Sequence, residues 1–333
     1  MTRYDRVKAA IAHKEADKIP SCIHLAGDGW QKYSDKLFER YTDDKLRQLY
    51  TEGKISRQHA IYYGMGNHVL GVGCPWWDWY DVPESYHTDE EAPDYLPKTI
   101  GHGSYSEFAE TVRNLKEYTD AYVLVLIWGS HFEKANFARG IENFLADLAG
   151  DPEYAQKMLD FIIHKNMVML ENIVHTPGID GILLGSDWGA QNDLLMSPSC
   201  WKKMIAPGEQ KEYDLIHEAG VDVWVHSCGN IQRILPDLTE MGVDALNPVQ
   251  PECMDIYALK EKYGSKITFW GGISTQQTLP YGTPEDVVAE TKKVTSALAK
   301  NGGYIIAPSQ EIQADVPFEN LCALIDTANS LTY

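Results

Sequence analysis

The chain has 333 residues, 44% of them hydrophobic, and its 29 basic against 48 acidic residues give a net charge of −19. Such a charge repels a phosphate backbone and no basic run offsets it, so we expect no nucleic-acid partner. No stretch approaches the roughly 18 uninterrupted apolar residues of a membrane helix, and the first residues show no charged-then-apolar leader, so we expect a cytoplasmic protein without a membrane partner.

The first third of the chain begins with a predicted helix and then loses its regular pattern. Tyr4, Val7 and Ile11 recur at helical spacing, and the pattern ends at Lys18-Ile-Pro20. The segment Cys22–Leu25 is the predicted first strand. From residue 30 to 118 we predict helices only near 44–52 and 105–117, with a tryptophan-rich turn between them, Cys74–Tyr80.

After Asp120 short apolar strands alternate with helical segments, which is typical of a parallel sheet covered on both faces. The predicted strands are 121–127, 180–185, 221–225, 243–246, 267–270 and 304–306. The predicted helical regions are 140–176, 208–219, 231–240, 255–263, 284–300 and a last helix after Pro317.

This alternation fits both a closed barrel and an open doubly wound sheet. No glycine fingerprint follows the first strand, and the number of units suits closure. We therefore predict a single domain over residues 1–333 with the α/β fold of a (β/α)8 TIM barrel. Residues 1–18 form an N-terminal helical extension, and the barrel begins at about residue 19.

Polar residues follow the predicted strands, and in a barrel these strand ends meet on the catalytic face. They are Asp28, Asp187, Gln191, His226, Cys228, Asn247, Gln250, Gln276, Gln310 and Glu311.

His226 and Cys228 form the tightest chemical cluster in the sequence. They are two residues apart at a strand end, so their side chains point to the same side. Imidazole and thiolate suit zinc, but a catalytic zinc needs about three protein ligands. The alternative is a buried histidine beside a structural thiol. The six cysteines show no disulfide spacing, so we expect free thiols or metal ligands.

Two carboxylates and several aromatic residues leave further alternatives open. Asp28 and Asp187 lie beside glycines, where a carboxylate either serves acid/base chemistry or caps a turn. Trp30 and Trp270 either line a pocket for a large planar ligand or pack the barrel mouth.

Four ordered motifs carry a resemblance to a known family. They are Trp224-Val-His-Ser-Cys-Gly-Asn230, Leu246-Asn-Pro-Val-Gln-Pro251, Trp270-Gly-Gly-Ile-Ser-Thr-Gln-Gln277 and Ile306-Ala-Pro-Ser-Gln-Glu-Ile312. With them the chain resembles the uroporphyrinogen decarboxylase superfamily, in particular its corrinoid-linked methyltransferase branch. The resemblance implies a (β/α)8 barrel with its cleft at the C-terminal face.

The resemblance also indicates which activity to expect. Decarboxylases of the superfamily carry an arginine-rich signature after the first strand, whereas the stretch His24–Gln31 contains an aspartate and no arginine. An acidic residue there would repel a polycarboxylate. The methyltransferases hold zinc with a His-x-Cys pair and a second cysteine near the last strand. His226 and Cys228 match the pair, and Gln310 and Glu311 stand where that cysteine is expected.

We therefore predict a methyltransferase that moves a methyl group between a corrinoid protein and a small donor or acceptor, such as a thiol, a tetrahydrofolate or a methylated metabolite. Zinc would be held by His226, Cys228 and either Gln310 or Glu311. Catalytic roles fall to Asp28 and Asp187, and substrate binding to Trp30, Gln191, Asn247, Gln250, Trp270 and Gln276.

Two alternatives remain. One is a metal-independent decarboxylase or lyase that uses Asp28 or Asp187, and the other is a non-catalytic barrel that binds a corrinoid or another planar ligand. A homodimer is possible.

Overall fold

The computed structural model describes all 333 residues, in sixteen α-helices and nine strands. The strands are β1 (Val69–Gly73), β2 (Trp76–Asp81), β3 (Lys98–His102), β4 (Tyr122–Ile127), β5 (Gly181–Gly185), β6 (Asp222–His226), β7 (Ala245–Asn247), β8 (Thr268–Ile273) and β9 (Tyr304–Pro308). The first eight helices are α1 (Arg3–Ile11), α2 (Gly27–Tyr41), α3 (Asp44–Thr51), α4 (Arg57–Gly64), α5 (Glu84–Thr88), α6 (Tyr105–Tyr118), α7 (His131–Arg139) and α8 (Ile141–Gly150). The others are α9 (Pro152–Ile173), α10 (Pro198–Cys200), α11 (Ala206–Glu218), α12 (Leu235–Glu240), α13 (Ile256–Tyr263), α14 (Thr278–Tyr281), α15 (Pro284–Leu298) and α16 (Phe318–Ser330).

Seven strands form one sheet in the order β1-β4-β5-β6-β7-β8-β9, and β2 and β3 form a second sheet. The pairs β5–β6, β7–β8 and β8–β9 are parallel, with Gly185 in register with His226 and Gly271 with Ile306. The strands β5, β8 and β9 are buried along their whole length. Parallel strands that alternate with helices confirm the predicted α/β class.

The chain divides into two compact units, each built from separate stretches of sequence. Unit 1 comprises residues 1–71, 111–124 and 244–333, and unit 2 comprises residues 72–110 and 125–243. Both units are discontinuous in sequence. That residues 1–333 form a single domain stays a prediction.

In unit 1 the predicted first strand Cys22–Leu25 is not a regular strand. It forms only isolated parallel bridges with the β9 region, Ser21 to Ile306 and Leu25 to Ile312. On its other side the His68 N–H donates to the Ser21 carbonyl oxygen at 2.8 Å. The segment thus lies between β9 and the start of β1, in the place of an eighth strand. The Asn67 side-chain amide accepts from the Ile23 N–H and donates to the Ile23 carbonyl oxygen. These two backbone groups therefore do not pair with a neighbouring strand, and regular pairing is interrupted.

Unit 2 corrects one prediction and divides one predicted helical region. The tryptophan-rich segment is strand β2 rather than a turn, because it pairs antiparallel with β3, Trp77 opposite Gly101. The region 140–176 holds two helices. Asp151 ends α8 and caps α9 by accepting from the Tyr154 N–H, and Pro152 occupies the first turn of α9.

Several helices lie in the region that showed no clear pattern. Asp28 and Trp30 belong to the first turn of α2 rather than to a loop after a strand. The helix α4 lacks an amphipathic stripe because consecutive residues from His59 to Tyr62 are all buried. The predicted N-terminal helix is present as α1, with a capping box between Thr2 and Asp5. No helix combines the length and apolar character needed to cross a membrane.

Candidate metal site and polar pocket

Two neighbouring strands of unit 2 place three potential metal ligands at the same edge. Gly185, the last residue of β5, lies opposite His226, the last residue of β6. Asp187 comes two residues after Gly185, and Cys228 comes two residues after His226. Since parallel strands end at one edge of the sheet, the three side chains lie side by side.

The distances within this trio are short. Cys228 Sγ lies 3.3 Å from His226 Nε2, and Asp187 Oδ1 lies 3.5 Å from the same nitrogen. The three ligand atoms lie within 4.8 Å of one another. The Cys228 N–H donates to Asp187 Oδ1 at 2.8 Å, which turns the carboxylate toward the imidazole.

This donor set fits zinc. Tetrahedral zinc with ligand bonds of about 2.0–2.3 Å places neighbouring ligand atoms about 3.3–3.6 Å apart, which matches both distances to His226 Nε2. Nitrogen, sulfur and carboxylate oxygen are all zinc ligands. The Asp187 side chain is 40% exposed and that of His226 7%, so the trio is open on the carboxylate side. Three protein ligands with an open side are the arrangement of a catalytic zinc.

Two glycines allow the turns of the trio to approach each other. A Cβ on Gly189 would lie 2.5 Å from the Cys228 carbonyl oxygen, and Gly229 has a φ of +81°. A side chain at Gly189 would displace the Cys228 backbone, and one at Gly229 would meet the backbone of Gly189 and Ala190. Trp128 contacts the His226 ring edge to face at a centroid distance of 5.0 Å, so the imidazole is restrained on that side too.

Glu133 is a part of this site that the sequence analysis missed. It lies in the first turn of α7, near enough to Asp187 for the two carboxylates to interact electrostatically. Burial and then the negative charge of Asp187 raise the pKa of Glu133 to about 7. The polar residues that follow β4 were the available signal, because they obey the same strand-end rule that selected Asp187.

In unit 1 four of the predicted residues line one polar pocket of about 240 Å³. They are Gln250, Gln276, Gln310 and Glu311. Burial raises the pKa of Glu311 above its usual value. A role in substrate or metal binding stays a prediction for all four.

The other predicted residues either form hydrogen bonds with backbone groups or lie at the surface. Asp28 accepts from the N–H groups of Gly29 and Ala314, so its carboxylate fixes a turn. Asn247 and Trp270 are buried, and the Asn247 amide donates to the Trp270 carbonyl oxygen. These contacts fit the capping and packing alternatives, and the catalytic role of Asp28 stays a prediction.

Trp30 and Gln191 complete the set. Trp30 packs edge to face on Tyr62 at 5.9 Å between ring centroids, and Gln191 is exposed in the turn after Asp187. Their assignment to substrate binding stays a prediction.

Residues 82–331 match the family model described as uroporphyrinogen decarboxylase (URO-D). A methylated-thiol–coenzyme M methyltransferase of Methanosarcina mazei is 23% identical over 266 residues, which cover 76% of this chain and 67% of the relative. A methylcobamide:CoM methyltransferase of Methanosarcina barkeri is 30% identical over 132 residues, 39% of this chain and 36% of the relative. The chain thus spans little more than a third of the second relative.

A solved structure supports the fold prediction. The structure titled methyltransferase from Methanosarcina mazei superposes with a TM-score of 0.69 at 18% identity and covers 99% of both chains. At this identity the likeness speaks for the fold, and the predicted (β/α)8 class with an N-terminal helix is confirmed.

Proposed function

Because the chain belongs to the uroporphyrinogen decarboxylase (URO-D) family, we propose that it is a methyltransferase that transfers a methyl group from a corrinoid protein to a small thiol. The observation that carries this proposal is the trio of Asp187, His226 and Cys228, whose ligand atoms lie within 4.8 Å of one another. The names of the relatives, which pair methylcobamide or a methylated thiol with coenzyme M, point to the same chemistry.

The trio would hold zinc, with Asp187 as the third ligand. Zinc bound there would accept a thiol at the open side and favour its thiolate, which is the nucleophilic form. His226 must be neutral to offer the Nε2 lone pair, and Cys228 must have lost its proton. The Cys228 N–H and the Trp128 ring hold the carboxylate and the imidazole in place. Gln310 and Glu311 remain the competing proposals for the third ligand.

The transfer itself exchanges one bond for another. The thiolate sulfur attacks the methyl carbon of the methylcorrinoid, and a sulfur–carbon bond forms. The carbon–cobalt bond breaks with its electron pair left on cobalt, and the proton of the thiol goes to solvent. Tetrahydrofolate or a methylated metabolite in place of the thiol stays a weaker proposal, because a thiol best matches a site with a Cys228 thiolate and a borderline-soft metal.

A spectroscopic assay tests this function. Protein purified without chelator is analysed for metal and then mixed with methylcobalamin and either 2-mercaptoethanesulfonate, 2-mercaptoethanol or tetrahydrofolate. We expect about one zinc per chain and a protein-dependent loss of the methylcobalamin spectrum with at least one thiol. Absence of metal together with an unchanged spectrum for every acceptor would contradict the proposal. A saturable spectral shift without turnover would favour a corrinoid-binding protein instead.

A further inference from the structure

We propose that unit 2 contains a second ligand site, which shares no residue with the metal trio and binds a small planar aromatic molecule that carries a negative charge. The site is a cavity of about 390 Å³ between the two-stranded sheet of β2 and β3 and the helix α9. Ligand pockets in proteins commonly measure about 300–1,000 Å³. The tryptophan-rich segment that supplies one wall has no part in the methyl transfer, and the inference does not depend on that function.

Two stacked rings form the wall on the side of the sheet. Trp76 and His102 lie opposite each other in the antiparallel register, and their ring centroids are 4.6 Å apart with an angle of 27° between the planes. Trp76 is 43% exposed. Large apolar groups exposed at the edge of a cavity are typical of ligand-binding grooves. Flat rings favour a flat ligand, because aromatic rings stabilise one another in offset-stacked and edge-to-face contacts.

The neighbouring Trp77 joins the two sides of the cavity. Its indole N–H donates to Asn166 Oδ1 at 2.7 Å, and its ring contacts Phe161 edge to face at 6.3 Å between centroids. Asn166 and Phe161 both belong to α9. The sheet on one side and the helix on the other are therefore held together, and the cavity is preformed.

A glycine leaves space inside this cavity. Gly101 lies opposite Trp77 in the register, and residues opposite each other in an antiparallel pair project from the same face. A Cβ added at Gly101 would meet no atom within 4 Å. Gly101 is not among the glycines with a positive φ, so its backbone conformation does not require glycine. What the glycine provides is room beside Trp77.

The polar side chains of the cavity can all donate hydrogen bonds. Lys165 and His164 line it from α9 and Tyr105 from the start of α6, and no acidic residue lines it. The Lys165 ammonium lies 5.7 Å from the Trp77 ring centroid, and none of the three side chains forms a hydrogen bond or an ion pair within the chain. The polar pocket of unit 1, by contrast, contains two carboxyl groups.

These features together define the class of ligand. In a chain with a net charge of −19, a cavity with an ammonium and no carboxylate is a place where an anion is attracted rather than repelled. A ring of the ligand would pack against Trp76, and its carboxylate would accept a charge-assisted hydrogen bond from Lys165. A planar aromatic carboxylate satisfies both walls, whereas an aliphatic acid or a neutral aromatic molecule satisfies one.

Three ligands with the same carbon skeleton test this class on the wild-type chain. The probe 2-naphthoate is planar and anionic, 2-naphthamide is planar and neutral, and decahydro-2-naphthoate is anionic and saturated. Isothermal titration calorimetry and ligand-observed NMR measure their binding. We expect 2-naphthoate to bind at a single site with a Kd of about 1 mM or lower. The other two should bind about tenfold more weakly, because each lacks one of the two interactions. Equal binding of all three, or no binding of 2-naphthoate, would overturn the inference.

Two substitutions with matched controls locate the site. Lys165→Met removes the ammonium and keeps the apolar stem, and Lys157→Met is the same change at an exposed position of α9 outside the cavity. Gly101→Val fills the space beside Trp77 with a residue favoured in strands. Gly73→Val is its control, because a Cβ there also meets no atom within 4 Å and Gly73 ends β1 outside the cavity.

We expect Lys165→Met and Gly101→Val to bind 2-naphthoate about tenfold more weakly, and both controls to bind like the wild type. Lys165→Met should also lose the preference for the acid over the amide, which a merely structural effect would not cause. If both variants bind like their controls, the ligand lies elsewhere and the inference is wrong.

A last variant separates this site from the proposed function. Cys228→Ala removes a ligand of the metal trio and should bind 2-naphthoate like the wild type. Loss of binding in Cys228→Ala would place the carboxylate on the metal and overturn the inference. Failure of the methylcobalamin assay with 2-naphthoate still bound would contradict the methyl transfer and leave this site standing.

Discussion

The metal site of unit 2 and the polar pocket of unit 1 collect polar side chains after strands in two different ways. In unit 2, Asp187, His226 and Cys228 offer three kinds of ligand atom, and the Cys228 N–H fixes the Asp187 carboxylate. In unit 1 the pocket presents several amides and the carboxyl groups of Glu311 and Asp315, and burial raises the pKa of Glu311. The strand-end rule therefore finds both regions, and the chemistry of the donors decides which one suits a metal.

The largest effect is expected for Cys228→Ala. The change removes one of three ligands, and we expect zinc affinity to fall more than about 100-fold and methylcobalamin demethylation to fall with it. Zinc competition and the visible assay measure the two quantities. Cys253→Ala is the matched control, because Cys253 is a half-buried thiol of unit 1. Loss of metal in Cys253→Ala with retention in Cys228→Ala would reverse the comparison between the two regions.

A second prediction concerns the buried histidines, which also differ between the units. In unit 2 His131 has Glu209 as partner, whereas in unit 1 His24 lies against rings and a thiol. Burial, with a smaller contribution from His59, lowers the pKa of His24 to about 4. The folded state therefore binds fewer protons than the unfolded state between pH 6.5 and 4.

The sign of the pH effect follows from this difference. Stability is complete above pH 6.5 and falls as the pH drops toward 4, by about 3 kcal/mol for His24. Urea unfolding at pH 7, 6, 5 and 4 measures it. We expect His24→Gln to lose less stability over this range than the wild type, and the exposed variant His175→Gln to keep the wild-type slope. Identical slopes for wild type and His24→Gln would show that His24 does not cause the acid sensitivity.

Most of the regular fold could be predicted from the sequence because its signals are local. Buried strands such as 121–127 and 304–306 are continuous apolar runs, and helices such as α15 carry their own capping box. The strand β2 could not be recognised, because its partner β3 lies beyond α5 in the sequence. The segment Cys22–Leu25 is not the regular strand that was predicted, again because of a distant residue. The Asn67 side chain accepts the Ile23 N–H that a neighbouring strand would otherwise bind.

The candidate site was predictable only in part. His226 and Cys228 are two residues apart, so strand periodicity alone places them together. Asp187 was found as a strand-end carboxylate, but its place beside His226 depends on the register of β5 and β6, which no local pattern encodes. Glu133 was missed because its nearness to Asp187 depends on how α7 packs, which no local pattern encodes.

The measurement that tests the central claim most directly is the zinc affinity of Asp187→Ala beside that of Gln310→Ala and Glu311→Ala. With Asp187 as the third ligand, Asp187→Ala should bind zinc about 100-fold more weakly, and the other two variants should stay close to the wild type. Full affinity of Asp187→Ala together with loss of zinc in Gln310→Ala or Glu311→Ala would contradict the account.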